Sequence, residues 1–500
     1  MAAPSALLAD TASKLAVGFV LIGVVLRLRL YFVGASLWLD EAMLANNIVN
    51  RSFAGLLQPL DHDQGAPVGF LLLQKGVIKT LGNADYILRL WPLIAGIAAL
   101  CLMYPVARRV LDTTGALAAT ALFAISPALI TYSATVKQYS TDVLAGQLLL
   151  LAGLTALDRH PSRWPLILLG VGGGLAVWMS HPSVFVLAGI GVSLAFFLIS
   201  RRDWSGLAYL LGAAAIWGLA FLGVYLVSLR ALAANNFLTA FWHDLFFPAP
   251  FWQHLDWLGP AFLGLLNNPG GLPGGFGLLL LVAGAAWLLR KRWPVGLMLL
   301  LPWLATLAAS AAQRYPFGDR LALFLTPSLY LFVGGAIELV ERSVGRVRQS
   351  YGLPAGAAIV AALLPFLLLG SWNAEMHPGP VENVKPLLAY VERHKQPGDV
   401  LFVYYGGDPA VNYYAPFYDL ANVRLVIGDE HRSAPTAYLQ EVDRFVGEPR
   451  VWVLFSHVCD WCQVDEPKYI TEHLDGVGRQ LDELQAEGAA LYLYDLHSSP

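Results

Sequence analysis

Four polar clusters in this sequence are built from residue types that do chemistry. In Trp38-Leu39-Asp40-Glu41 two adjacent carboxylates directly follow an apolar run that ends near Val33. A carboxylate there can take a proton from an attacking hydroxyl if it lies within hydrogen-bond reach. The same pair suits the start of a helix, where Asp is a good cap and acids offset the positive end of the dipole. Spacing alone leaves both readings open. The second acidic cluster is Leu60-Asp61-His62-Asp63-Gln64-Gly65-Ala66-Pro67. Its His with two Asp has the ligand types of a divalent metal site, and equally those of a solvated loop.

The other two clusters are basic. Tyr132-Ser133-Ala134-Thr135-Val136-Lys137-Gln138-Tyr139-Ser140-Thr141-Asp142 carries Lys137, an ammonium able to neutralise a phosphate as a point charge. Gln313-Arg314-Tyr315-Pro316-Phe317-Gly318-Asp319-Arg320 carries two guanidiniums suited to bidentate phosphate recognition, with Asp319 as an alternative local partner. Snorkelling at a membrane surface would explain either basic cluster without a ligand.

The elements that must position these clusters are apolar. Charged residues make up 13% of the chain and apolar residues 57%, with a mean hydropathy of +0.56. Soluble domains carry about 25% charged residues. Apolar runs near 15–35, 87–107, 115–134, 143–157, 165–181, 184–200, 206–229, 272–289, 294–312, 321–340 and 353–372 have the length that crosses a membrane. Backbone groups in lipid must be satisfied internally, so each run predicts a helix, about eleven in all. The run 67–82 is shorter and carries Lys75 and Lys79, which predicts a juxtamembrane helix. The first run is of spanning length and lacks a small-residue cleavage site, unlike a cleaved signal peptide.

Between alternate spans lie Arg108-Arg109, Arg159 with Arg163, Arg201-Arg202, Arg290-Lys291-Arg292, and Arg342 with Arg346 and Arg348. The positive-inside rule makes that side cytoplasmic. All four polar clusters, and everything after 372, then face the extracytoplasmic side of an inner or plasma membrane. A net charge of -3 and a pI near 6.4 exclude a nucleic-acid binder. The spans hold few mid-membrane charges, whereas coupled transporters place ionisable groups near the midplane. Reactive groups gathered at one surface suit an enzyme acting on a lipid headgroup. The alternatives are a flippase for a lipid-linked sugar and an inactive scaffold of the same architecture.

The expected organisation is a transmembrane module, 1–372, and a soluble α/β domain, 373–500. The module has an outer loop at 36–86 and an aromatic outer loop at 231–271, the latter a candidate border of a lipid groove. In the tail Val400–Tyr405, Val451–Ser456 and Ala489–Tyr494 read as strands, and Val384–His394, Ala437–Phe445 and Tyr469–Gln485 as helices. Gly406-Gly407 after the first of these strands reads as turn chemistry, since the full glycine-rich dinucleotide pattern is missing. Cys459 and Cys462 are candidates for a structural disulfide in an oxidising compartment. With His457 they are, alternatively, half of a zinc site.

These residues resemble the GT-C class of polyprenyl-phosphate-sugar-dependent glycosyltransferases, nearest to the protein O-mannosyltransferases and lipid A aminoarabinose transferases. The likeness covers about 15–340. It runs through Asp40-Glu41, Asp61–Phe70, Leu88-Arg89-Leu90-Trp91-Pro92, Ser126-Pro127, Tyr132-Ser133, Lys137-Gln138-Tyr139 and Tyr315–Arg320. It implies an inverting transfer from a sugar on a dolichyl or undecaprenyl phosphate to an acceptor hydroxyl of a glycan, lipid or protein. By that likeness Asp40 would be the general base, and Glu41 would support it or orient the acceptor. Lys137, Arg320, Arg314 and Tyr139 would bind the donor phosphate, and His62, Asp63, Gln64 and Asp142 would serve the acceptor or its loop. The likeness leaves the transfer metal-dependent or metal-independent, so it fixes no cofactor and keeps a divalent metal open. Two departures stand out: Thr135 occupies a position acidic in many relatives, and Asp63 follows His62 where the family has Pro.

Overall fold

A computed structural model describes residues 4–347, 352–376, 382–458 and 464–497. The chain divides into two compact units, one of Met1–Val33 and Arg51–His377, the other of Gly34–Asn50 and Pro378–Pro500. It opens with α1 (Pro4–Val33), α2 (Leu39–Asn50), α3 (Val68–Leu81), α4 (Asp85–Val110), α5 (Thr113–Ala124) and the short α6 (Pro127–Thr131). Next come α7 (Tyr139–Asp158), α8 (Trp164–Met179), α9 (Ser183–Ser200) and α10 (Trp204–Val224). Short pieces follow, α11 (Arg230–Ala233), α12 (Asn236–Phe241) and α13 (Leu258–Asn267). The helical unit closes with α14 (Gly274–Lys291), α15 (Trp293–Ala311), α16 (Thr326–Val347) and α17 (Gly352–Met376).

Each expected span coincides with a helix of this unit. Among the described residues, 9 helices are long and apolar enough to cross a membrane, a bent pair raises this to 10, and α8 is a shorter apolar helix. The expected juxtamembrane run is α3, with 14 residues.

The bent pair is α5 with α6, broken by 55°. Pro127 lacks an N–H and pushes Ser126 out of the helical region, to φ -65°, ψ 120°. Carbonyls freed inside a membrane need new donors. The fully buried Arg27 of α1 supplies them, bonding Ala124 O at 3.0 Å and Phe123 O at 3.4 Å, while Ser371 Oγ donates to Ile125 O. Small residues let helices approach elsewhere: a Cβ on Gly115 of α5 would lie 2.7 Å from Gly334 O of α16, and one on Gly334 2.6 Å from Gly115 O.

The basic loops converge at one end of the helical unit. Arg292 bonds Arg109 O at 3.0 Å, and Lys291 bridges Asp112 at 3.1 Å and Glu338 at 2.8 Å. Arg163 grips Asp203 through two bonds of 2.6 and 2.7 Å.

The second unit is an α/β layer. After α2 it contains α18 (Val384–His394), β1 (Val400–Val403), α19 (Asp408–Tyr414), β2 (Arg424–Ile427), α20 (Thr436–Val442), β3 (Val451–Ser456), α21 (Glu466–Val477), β4 (Arg479–Ala486) and β5 (Ala489–Asp495). The sheet order is β2-β1-β3-β5-β4, with β1 parallel to both neighbours and β5 antiparallel to β3 and β4. Strand β1 reads Val-Leu-Phe-Val and is buried on both faces, as a central parallel strand requires.

Three expectations change here. The helix expected over 469–485 stops at Val477, and 479–486 is the edge strand β4, whose exposed face keeps it polar. Strand β2 was not expected at all. The segment 34–50, expected in an outer loop of the transmembrane module, packs with the C-terminal residues. Leu37 N–H donates to Tyr414 Oη at 2.8 Å, Asn46 to Pro409 O at 2.9 Å, and Ser36 Oγ to Asn383 Oδ1 at 3.0 Å.

Candidate functional site

The acidic pair belongs to the second unit. Because α2 begins at Leu39, Asp40 and Glu41 both lie in its first turn, where their charge opposes the helix dipole, and neither is the cap. Glu382 does the capping, accepting Leu39 N–H at 2.8 Å on one oxygen while the other faces His457 Nδ1 at 2.6 Å. Glu41 is buried and Asp40 partly exposed. Glu382 joins Asp40 and Glu41 at this helix start, a partner from more than 300 residues away that sequence reasoning did not find.

The helical unit holds the other candidates, in the loops at the end away from its basic cluster. Lys137 is only 4% exposed, and its Nζ donates to Gln64 Oε1 at 2.6 Å. Gln64 thus joins the second acidic cluster to the first basic one. The carboxylates of that cluster turn elsewhere: Asp61 pairs with Arg51 at 2.7 Å, and Asp63 accepts from Asn235 at 2.6 Å. His62 and Asp63 take left-handed φ of 58° and 53° in the tight turn between them. Among the described residues Asp61, His62 and Asp63 do not converge as a metal-ligand set.

Behind Lys137, Tyr139 packs edge-on against Tyr132 with centroids 5.0 Å apart. Asp142 is buried in the first turn of α7, beside Ser180 and within electrostatic reach of Tyr315. Among the described residues Gln138 Oε1 and the buried Nε2 of His181 have no hydrogen-bond partner, while the Asp142 carboxyl has the Ser180 hydroxyl beside it. Buried polar atoms are as a rule paired, so the two unpaired atoms stand out in an otherwise apolar interior. Ser180 and His181, in the turn between α8 and α9, were not singled out from sequence; the signal was a lone histidine beside Pro182 between two apolar runs.

Arg320 is the second residue of the turn Asp319–Leu325, and its guanidinium lies over the Trp242 ring, 5.1 Å from the centroid. Asp319 accepts from Asn268 at 2.8 Å, and Arg314 is exposed. The aromatic loop is fastened to this region. Phe317 N–H donates to Leu245 O at 2.8 Å, and Gln313 to Phe247 O at 2.7 Å. Phe246 and Phe247 are buried there, while Phe237, Phe241, Phe251 and Trp252 are exposed. Cys459 and Cys462 lie outside the described residues.

Residues 65–207 match the family model described as dolichyl-phosphate-mannose-protein mannosyltransferase. No curated protein matches the chain. Among solved structures, ArnT from Cupriavidus metallidurans in the apo state is similar with a TM-score of 0.56 at 14% identity, over 96% of this chain and 98% of that one. ArnT bound to undecaprenyl phosphate gives 0.51 at 15% identity, over 95% and 98%. The Archaeoglobus fulgidus oligosaccharyltransferase in complex with Zn and sulfate gives 0.53 at 15% identity, over 95% and 72%. The chain has the GT-C fold that the sequence motifs imply. Family match and fold together support a membrane glycosyltransferase of the class that uses polyprenyl-phosphate-linked sugars. The matched segment contains Lys137 and the Ser180-His181 turn, and does not reach Asp40 or Arg320.

Proposed function

We propose that this chain moves a sugar from a polyprenyl-phosphate donor to an acceptor hydroxyl of a glycan, lipid or protein on the extracytoplasmic face of the membrane. The observation that carries this reading is the buried Lys137 ammonium, held by Gln64 in a loop of a GT-C helical unit and inside the family-matched segment. As the donor C–O bond breaks, negative charge grows on the departing phosphate. A cation already in place there lowers the barrier without reorganising. Lys137 fills that role, with Arg320 and Arg314 as further cations and Tyr139 shaping the pocket wall.

The acceptor oxygen attacks the anomeric carbon from the opposite side, inverting it, and its proton passes to Asp40. Glu41 orients the acceptor. Gln64, His62, Asp63 and Asp142 serve acceptor binding and its loop. The basic loops at the far end of the helical unit support a cytoplasmic placement for that end. The ArnT complex with undecaprenyl phosphate supports a polyprenyl phosphate as carrier.

The test is transfer from an undecaprenyl-phosphate-linked sugar by the purified full chain. Asp40→Asn is expected to lose transfer by roughly 10²–10⁴-fold, the usual worth of a general base, while still binding the donor. Full transfer by Asp40→Asn would refute the assigned base. Movement of the donor across vesicles by the wild type, with no product formed, would point to a flippase instead.

A further inference from the structure

We propose that the C-terminal α/β unit carries a divalent-metal site of its own, formed by Asp429, His431 and Glu441 and suited to Zn2+. The ligand atoms of these three side chains all lie within 4.8 Å of one another. No other set of three His, Cys, Asp or Glu among the described residues is so placed. Asp429 and His431 sit on the loop that leaves the C-terminal end of β2, and Glu441 on α20, which follows it. Ligand sites of α/β sheets form at the carboxyl ends of their parallel strands.

Glu441 supplies the second, independent observation. It is 5% exposed, and its two oxygens have different surroundings. Oε1 accepts Asp429 N–H at 3.1 Å and the Arg444 guanidinium at 2.9 Å. Oε2 is buried and accepts no hydrogen bond among the described residues. His431 Nε2 faces Oε2 at 3.6 Å, beyond hydrogen-bonding distance.

A separation of 3.6 Å has room for a cation held between the two atoms. Zn–N and Zn–O bonds of about 2.0–2.1 Å in a tetrahedron set ligand atoms roughly 3.4 Å apart. The His431 ring is held in place edge-on to Tyr438, with centroids 5.2 Å apart. Arg444 and Asp429 N–H fix the carboxylate from the outside, as partners beyond the ligand shell do in metal sites. One imidazole and two carboxylates leave a fourth position for water, and Asp429 is exposed to solvent.

The experiment uses untagged full-length protein in detergent, stripped with EDTA, dialysed against Zn2+ and assayed by elemental mass spectrometry. The wild type is expected to retain one equivalent per chain and to melt at a higher temperature than the stripped protein. His431→Ala and Glu441→Gln are each expected to lose that equivalent. Because Glu441 also anchors Asp429 and Arg444, His431→Ala on the loop separates loss of metal from loss of fold, with an unchanged circular dichroism spectrum as the control. Co2+ in place of Zn2+ is expected to give absorption without a thiolate charge-transfer band. Failure of the wild type to retain Zn2+, or unchanged retention by His431→Ala, overturns the proposal. So does a thiolate band accounting for all the bound Co2+.

Discussion

At the scale of single residues, the contact between Lys137 and Gln64 makes the sharpest demand. Gln64 accepts a hydrogen bond from the buried Lys137 ammonium, so under the proposed mechanism replacing either side chain affects the same developing charge to different degrees. Lys137→Met is expected to lower kcat/KM for transfer by about 10²–10³-fold, the size of a lost electrostatic stabiliser. Gln64→Leu, which leaves the cation but not its position, is expected to lose less, roughly 10-fold. Equal losses in both variants would make Gln64 more than a positioning residue, and no loss in Gln64→Leu would remove it from the site. Trp242 acts on Arg320 in a comparable way. A cation–π contact worth about 0.5–2 kcal/mol predicts that Trp242→Ala raises the donor KM several-fold and leaves kcat nearly unchanged. Lys137 and Arg320 were legible in sequence because a cation beside an apolar run is conspicuous. Ser180 and His181 were not, because the sequence does not show that the turn between α8 and α9 lies beside Asp142 of α7.

At the scale of elements, the break between α5 and α6 depends on a guanidinium from α1. Arg27→Leu leaves the Phe123 and Ala124 carbonyls without their side-chain donor in an apolar interior. At about 1–3 kcal/mol for a buried unsatisfied group, the detergent-solubilised variant is expected to melt several degrees below wild type. An unchanged melting temperature would mean that other groups satisfy the bend. Asp203 fixes the opposite end of the unit. The Arg163 guanidinium, with Gly206 N–H and His160, holds its carboxyl well below the usual aspartate range. A group depressed in this way contributes fully above its unfolded pKa, and loses that contribution only as pH falls through the folded value. Asp203→Asn is therefore expected to lower the melting temperature by the same amount at pH 7 and at pH 5. The deficit should shrink only below the ordinary aspartate range, and a deficit that closes between pH 7 and pH 5 would contradict the assigned shift. Spans were the most legible elements because length and apolarity alone define them. The bend at Ser126-Pro127 was written in the sequence but hidden inside a continuous apolar run. Strand β4 was taken for helix because its exposed edge face carries Glu483 and Gln485 rather than the β-branched residues that announce a strand.

At the scale of the whole molecule, the chain contributes to its α/β unit twice, once at 34–50 and again after 378. Sequence reading placed the first piece with the membrane helices because it is contiguous with them, and hydropathy carries no record of a partner more than 300 residues away. Helix α2 buries Ala42, Leu44, Ala45 and Ile48, and hydrogen bonds from Leu37 and Asn46 tie its segment to α19. Burying a Leu or Ile side chain stabilises by roughly 1.5–3 kcal/mol, so omitting α2 should cost the soluble unit a large part of its stability. A fragment of 378–500 alone is expected to aggregate or to melt broadly at low temperature. The same fragment with 34–50 joined to it through a Gly/Ser linker is expected to unfold cooperatively and at least 10 °C higher. Circular dichroism melts of the two proteins decide the matter. Equal stability would mean that the C-terminal residues fold without α2. The acidic pair Asp40-Glu41 would then sit on an accessory helix, and its position would no longer depend on the fold of the soluble unit.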